Sequence, residues 1–193
     1  MAPAQTSRNQ TEEAFLDAAE RLLIDVGHAG VTTRSLAQAA DANQGLVHYY
    51  FGSMEQLLVR VLERFTDRLI ARQRAMYAAP DVPFIDKWRT AMGYLDADRD
   101  YQKIWFELQG LAWNRPELHA RVARVDAEWR AVLTEALAEP RERYAIDMPL
   151  DALVSLVITF NIGMIHERLS GITSGHAELI AWTESWLEGR DRG

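Results

Sequence analysis

The segment Thr-Thr-Arg-Ser-Leu-Ala-Gln-Ala-Ala-Asp-Ala-Asn-Gln-Gly-Leu-Val-His-Tyr-Tyr-Phe, residues 32–51, decides the fold of this chain. Thr32 and Asn43 each precede a short helical pattern, and their side chains can accept the free N–H groups of a first helical turn. Asp41 stands where the chain must turn sharply, and Asp tolerates the left-handed backbone conformation. The segment therefore predicts a helix, a tight turn and a second helix, the arrangement that lays the second helix in the DNA major groove.

The apolar residues of this segment recur at helical spacing and predict how it packs. The inward residues are expected to be Leu36, Ala37, Ala40, Val47 and Phe51. A helix opening at Thr11 precedes the segment and ends at Gly27, so that three helices form a small bundle. The first ten residues are polar and predict an irregular tail. Arg8 either contacts a DNA phosphate or the minor groove from this tail, or it belongs to a tail that makes no DNA contact.

The segment and its exit, Tyr-Tyr-Phe-Gly-Ser-Met-Glu-Gln-Leu-Leu at residues 49–58, resemble the helix-turn-helix of the TetR family of bacterial transcriptional regulators. The family usually reads Tyr-x-x-Phe, then a small turn, a Lys and Glu-x-Leu. The resemblance extends over residues 11–58, about a quarter of the chain. Three positions depart from the usual family residues: Asp41 replaces Gly, His48 replaces Tyr and Met54 replaces a phosphate-contacting Lys.

The resemblance implies which residues contact DNA. Thr33 and Arg34 would contact phosphates or a base at the groove edge, while Tyr49 and Ser53 would touch the backbone. The residues implied to lie at or near base edges are Asn43, Gln44, Gly45, Leu46 and His48.

The charge of the chain complicates this interpretation. The net charge is −7, and residues 1–53 alone carry three arginines against six acids. Acidic chains are not typical nucleic-acid binders, although specific affinity depends on the local surface more than on net charge. We therefore expect weak, salt-sensitive non-specific binding. The alternative is a helical module that binds a small molecule or a protein and has weak or lost DNA affinity.

Composition excludes several other classes of protein. The 193 residues are 48% hydrophobic and 25% charged, as in ordinary soluble proteins, and they include no cysteine. Disulfides, thiol nucleophiles and cysteine-based zinc sites are therefore excluded. The N-terminus lacks an apolar signal-peptide core, which predicts a cytoplasmic protein. The longest apolar run, residues 153–165, is interrupted by polar residues and is too short to span a bilayer.

No pattern in the chain predicts catalysis, a cofactor or a metal site. The histidines form no i, i+4 pair, and there is no phosphate loop or nucleophile elbow. Residues 96–107 have the acidic spacing of a calcium loop, but Tyr101 occupies the position that requires Gly. The chain is therefore not expected to be an enzyme.

Beyond Phe51 the pattern is entirely helical. A long helix is expected from Met54 to about Tyr77, capped by Ser53 with Gln56, its outer arginines forming a solvated surface. Five more helices follow at about residues 84–97, 101–113, 116–137, 150–169 and 176–188. The whole is an all-α protein of about nine helices. Residues 1–53 form the helix-turn-helix domain, and residues 54–193 form a ligand-binding and dimerisation domain.

The C-terminal part carries an unusual number of large aromatics, which bury large areas and also offer polar groups. These residues either fill a core or surround a mostly apolar effector cavity with a few polar groups. In the resembled family such a cavity holds a small effector. The candidate ligand-binding residues are Trp88, Met92, Trp105, Gln109, Trp113, Trp129, Asn161 and Met164.

The last two helices are candidates for a homodimer interface. The penultimate helix is apolar nearly all round, so it must be buried on more than one side. In the resembled family these two helices pair across a twofold axis, whereas burial inside one chain is the other possibility. The candidate interface residues are Leu153, Val157, Phe160, Gly163, Trp182 and Trp186. The sequence as a whole thus favours a homodimeric repressor that binds a palindromic DNA operator and is released by a small effector.

Overall fold

The computed structural model describes the backbone of residues 3–191 and the side chains of residues 9–190. This part of the chain contains nine α-helices, a 3-10 turn at His28–Gly30 and no strand, which confirms the predicted all-α class. The helices are α1 (Pro3–Val26), α2 (Thr33–Ala39), α3 (Gly45–Phe51), α4 (Met54–Ala78), α5 (Phe84–Ala97), α6 (Arg99–Ala112), α7 (Pro116–Arg143), α8 (Leu150–Leu169) and α9 (His176–Asp191).

The helices are distributed over two compact units. The first unit comprises the described residues up to Asp67 together with Asp100–Val125. The second comprises Arg68–Arg99 and the described residues from Asp126 onward. Helices α1 to α3 thus lie in the first unit, and α5, α8 and α9 lie in the second. The functional division at residue 53 stays a prediction.

The N-terminal helix begins earlier than the sequence pattern indicates. We expected an irregular tail before Thr11, but α1 is helical from Pro3 onward. Proline is tolerated in the first turn of a helix, and residues 4–10 contain no helix breaker. Each residue added to an existing helix gains one backbone hydrogen bond. Helix α1 can therefore extend toward the N-terminus from the part that is buried in the first unit. The side chain of Arg8 lies outside the described residues.

Helix α7 continues past the proline that was expected to end it. The pattern predicted an end near Leu137, yet the helix includes Pro140 and reaches Arg143. Proline removes one intrahelical donor, a cost that packing can offset. Tyr144, directly after the helix, is only 3% exposed and packs with Ile85. Its N–H donates to the Pro140 carbonyl oxygen at 2.9 Å, which continues the helical pattern.

Among its described residues the second unit buries small apolar clusters, and α8 contributes to two of them. Leu153 and Val154 pack with Leu137, while Met164 packs with Met92 and Leu95. The other side of α8 is open, with Leu156 55% exposed. The apolar run counted in the sequence, residues 153–165, is too short to span a bilayer. The whole of α8, Leu150–Leu169, is long and apolar enough to do so by length and composition. Helices packed in soluble proteins pass the same test, so this property carries no argument for a membrane.

Candidate nucleic-acid interface

Helix α3 is anchored by its inward side chains and by α1. Val47 is fully buried and Phe51 is 9% exposed, as the spacing predicted. The ring of Phe15 on α1 lies 6.2 Å from both Tyr50 and Phe51, centroid to centroid, and is edge-on to Phe51. Aromatic pairs in such geometry stabilise packing beyond the area they bury. The orientation of α3 is therefore determined by a small aromatic core.

The turn between α2 and α3 has the predicted local chemistry. The Thr32 hydroxyl accepts from the Ser35 N–H at 3.0 Å, and the Ser35 hydroxyl accepts from the Thr32 N–H at 2.9 Å. Asp41 has a φ of 49°, in the left-handed region. The Asn43 side-chain oxygen accepts from the Gly45 N–H at 2.8 Å, at the start of α3. The Thr32 cap and the left-handed Asp41 are thus confirmed, whereas the N-cap position of α3 is Gln44, and Asn43 makes its hydrogen bond from one residue earlier.

The candidate DNA-contacting residues lie in and beside α2 and α3. Arg34, Asn43, Gln44, Gly45, His48 and Tyr49 are exposed, and Tyr49 is 64% exposed. Thr33, Leu46 and Ser53 are half-buried. The Ser53 hydroxyl accepts from the Gln56 N–H at 3.2 Å, but the Gln56 side chain accepts from Arg121, so the cap is one-sided. The structure thus presents an exposed polar surface centred on α3.

The acids of α1 are paired with two arginines of α4, which the sequence pattern had placed on a solvated surface. Arg64 donates to Glu13 at 2.9 Å, and to Asp17 and Glu20 at 2.8 Å each. Arg60 lies 3.6 Å from Glu12. Four of the six acids in residues 1–53 are therefore paired with two cations from outside that segment. The two arginines of α4 thus compensate part of the negative charge that argued against DNA binding.

Arg64 is less exposed than a surface arginine, with 19% of its side chain accessible. Burial alone lowers the pKa of Arg64, but hydrogen bonds from Glu20, Asp17 and Glu13 outweigh it, so the pKa is raised above its ordinary value. The guanidinium of Arg64 therefore keeps its positive charge at neutral pH. Sequence reasoning missed this cluster, although the i, i+4 and i, i+7 spacing of the three acids was a usable signal.

The candidate ligand-binding residues do not share one site in a single unit. Trp88, Met92 and Met164 belong to one apolar cluster of the second unit. Trp129 and Asn161 also lie in that unit, whereas Trp105, Gln109 and Trp113 lie on and just after α6 in the first. Trp113 is 76% exposed, so its side chain does not line an enclosed cavity within the chain.

Asn161 is the polar residue on the inward stripe of α8. It follows Val157 by four residues and precedes Met164 by three, and both neighbours pack into the unit's clusters. Its side-chain oxygen is buried and has no hydrogen-bond partner among the described residues. Buried polar atoms are nearly always satisfied, so this oxygen is available to accept a hydrogen bond from a donor outside the chain.

The candidate dimer residues divide between the core of the second unit and its surface. Leu153 is 7% exposed, and Val157 and Phe160 pack against buried clusters, so these three residues serve the chain's own core. Trp186 packs beside Leu187 in a further cluster. Gly163 is open, since a Cβ built there would meet no atom within 4 Å. Trp182 is 65% exposed.

The acids that mimic a calcium loop form ion pairs. Arg168 donates to Asp96 at 2.7 Å, and Arg72 pairs with Asp98. Tyr101, at the position where a calcium loop needs glycine, is a buried helical residue. The described residues contain no group of three His, Asp or Glu side chains arranged to hold a metal ion.

Comparison with known proteins agrees with this architecture. Residues 15–61 match the family model of bacterial regulatory proteins, tetR family. The HTH-type transcriptional regulator BetI of Rhizobium meliloti is 39% identical over 57 residues, which cover 30% of this chain and 28% of that protein. The chain thus matches less than a third of the length of this curated relative.

Solved structures extend the likeness to almost the whole chain, at the level of the fold. A Rhodococcus structure assigned to the TetR family has a TM-score of 0.72 and 19% identity, covering 93% of this chain and 99% of its own. FadR from Bacillus subtilis in complex with stearoyl-CoA has a TM-score of 0.70 and 14% identity, covering 92% and 96%.

These relatives are named as transcriptional regulators. The family match includes the whole of α2 and α3, and the common fold extends from that head through the C-terminal helices. The chain thus carries the sequence signature of the bacterial regulatory proteins of the tetR family in residues 15–61, and it has the fold of a solved TetR-family structure over 93% of its length.

Proposed function

We propose that the protein is a homodimeric transcriptional repressor that acts in the cytoplasm, binds a palindromic DNA operator and is released by a small, mostly apolar effector. The observation that supports this proposal most is the exposed face of α3. Gln44, His48 and Tyr49 face outward from a helix whose opposite side is anchored by Val47 and Phe51. A short helix presented in this way after a tight turn fits the major groove.

The electrostatics of the head support the same proposal. Arg34 is exposed on α2, and the acids of α1 are largely engaged by α4. Affinity for a DNA duplex comes mainly from contacts with its phosphates. A protein surface that binds DNA must therefore not repel the phosphates by carrying unpaired negative charge. We expect the affinity to fall as salt is raised, with a modest slope, because few cations contribute phosphate contacts.

A random-site selection followed by binding titrations tests the proposal. Arg34→Ala should, for each half-site, weaken binding to all sequences about tenfold and reduce the salt slope by about 1, because it removes one charge-assisted phosphate contact from each protomer. Gln44→Ala should instead change the preferred sequence, since a glutamine contact to a base discriminates by about 1–3 kcal/mol. Arg99→Ala removes an exposed arginine of the second unit and serves as the control that should leave binding unchanged.

If Arg34→Ala and Gln44→Ala both lowered the affinity for every DNA sequence by the same factor, the roles assigned to these two residues would be contradicted. Complete absence of saturable binding, both to DNA upstream of the chain's own gene and in the selection, would favour the alternative. The protein would then be a helical module that binds a small molecule or a protein through its second unit.

The homodimer is proposed on the apolar residues that α8 and α9 leave exposed. Leu156 is 55% exposed, Leu179 43% and Trp182 65%, while the open Gly163 permits a close approach by another helix. These residues add to the candidates from the sequence, of which Leu153 is buried and Val157 and Phe160 are half-buried against the chain's own clusters. A twofold pair would place its two α3 helices on half-sites about 34 Å apart or a multiple of that distance.

Light scattering after size-exclusion chromatography tests the interface. The double variant Leu156→Glu, Trp182→Glu should halve the mass measured for the parent protein, because charges would be buried in an apolar contact. Trp113→Glu alters a tryptophan of the first unit that is even more exposed than Trp182 and should leave the mass unchanged. A monomeric parent protein, or a double variant of unchanged mass, would contradict the proposed interface.

The effector site is proposed in the second unit around Trp88, Met92, Asn161 and Met164. The cluster is apolar, and the buried Asn161 oxygen supplies one polar group that a ligand could satisfy. The similarly folded FadR of Bacillus subtilis was solved with stearoyl-CoA, which also has a long apolar portion. Release from DNA requires that the effector bind better to a conformation unable to engage the operator.

A further inference from the structure

His48 is held at one end of its imidazole ring by the C-terminus of α3. Its Nδ1 lies 3.0 Å from the Gly52 carbonyl oxygen. The Gly52 N–H in turn donates to the His48 carbonyl oxygen at 2.9 Å. Gly52 has a φ of 75°, a left-handed conformation that ends the helix and that glycine adopts without strain. Two hydrogen bonds thus tie the residue to the helix end.

The contact determines which nitrogen of a neutral ring carries the hydrogen. A carbonyl oxygen only accepts hydrogen bonds, so Nδ1 must be the donor. In a neutral imidazole the other nitrogen, Nε2, then has a free lone pair and can only accept. The residue is exposed, and Nε2 makes no hydrogen bond with the described part of the chain. The exposed face of α3 therefore carries a fixed hydrogen-bond acceptor.

We propose that His48 reads an amino group in the major groove, the N6 of adenine or the N4 of cytosine, through its Nε2. This inference rests on the proposed DNA binding. Adenine and cytosine present amino donors in that groove, whereas guanine and thymine present carbonyl oxygens, which cannot pair with an acceptor. On the contacted strand, one position of each half-site should accordingly be adenine or cytosine and not guanine or thymine.

The competing explanation is that His48 only caps the helix. Two substitutions separate the roles, because they imitate different ends of the ring. Asparagine places its amide near the position of Nδ1 and can keep the hydrogen bond to Gly52, but it does not reach the position of Nε2. Glutamine reaches the position of Nε2 and offers both a donor and an acceptor.

The experiment compares selected sites and binding constants for the parent protein and its His48 variants in mildly alkaline buffer, which keeps imidazoles neutral. The parent should prefer adenine or cytosine at one position about fivefold to tenfold, the effect of one hydrogen bond. His48→Asn should keep the melting temperature and lose that preference. His48→Gln should favour adenine, and His48→Arg, which only donates, should favour guanine.

The outcomes distinguish this inference from the proposed function. A parent protein that binds specific DNA but prefers guanine or thymine at the position altered by the variants overturns the assignment of His48 alone. So does a set of variants that change stability without changing any base preference, because His48 would then be only a cap. A parent protein without saturable DNA binding overturns the proposed function, and the assignment of His48 with it.

Discussion

Replacing Phe15 by alanine is expected to lower the free energy of unfolding by about 3–5 kcal/mol, because a fully buried aromatic side chain is lost and a cavity remains. Domains of this kind are stable by about 5–15 kcal/mol, so the loss removes a large part of the total. The ring also contacts Tyr50 and Phe51, which orient α3. Urea denaturation followed by circular dichroism measures the change.

Two further variants show whether the effect comes from the aromatic core. Phe15→Leu retains most of the apolar volume and should cost less than half as much as alanine. Tyr49→Ala removes an aromatic side chain that is 64% exposed and should change stability by less than about 1 kcal/mol. A Phe15→Ala protein as stable as its parent would show that this ring does not support α3.

Replacing Arg64 by methionine is expected to cost about 2–3 kcal/mol, since three carboxylates would lose their shared cation. The estimate lies below that for a fully buried pair because Asp17 and Glu13 are more than half exposed. Arg60→Met is the matched control on the same helix, with 52% of the Arg60 side chain exposed, and should cost less than about 1 kcal/mol.

A double-mutant cycle isolates the interaction. Removing negative charge with Asp17→Asn and Glu20→Gln should recover part of the loss in the Arg64→Met background, with a coupling of about 0.5–3 kcal/mol. Thermal melts of the four proteins in low and high salt would measure the coupling. Purely additive effects would mean that Arg64 stabilises the head through packing of its side-chain methylenes and not through charge.

The local features of the head were predictable because they depend on neighbours within one helical turn. The capping hydroxyl of Thr32, the left-handed Asp41 and the Asn43 hydrogen bond at the start of α3 involve partners two to four residues away. The end of α1 at Gly27 and the inward positions of Val47 and Phe51 follow from the same short-range rules. These rules were also sufficient to identify the helix-turn-helix.

The predictions that differed from the structure depended on distant residues. Pro140 stays within α7, beside a Tyr144 that packs with Ile85, more than fifty residues earlier. The sequence pattern predicted a solvated position for Arg64. In the structure Arg64 binds several acids of α1, because that helix, about fifty residues before it, packs alongside. No local pattern contains this information.

The amino-acid sequence by itself determined the nine-helix character of the described chain, the helix-turn-helix and its caps, since helical periodicity and capping act between near neighbours. Only the tertiary structure decided which faces those helices bury. Helix α8 is apolar on nearly every side, so periodicity could not distinguish the buried Leu153 from the exposed Leu156. The same kind of packing paired acids of the first helix with Arg60 and Arg64 of α4, because these ion pairs depend on where separate helices meet.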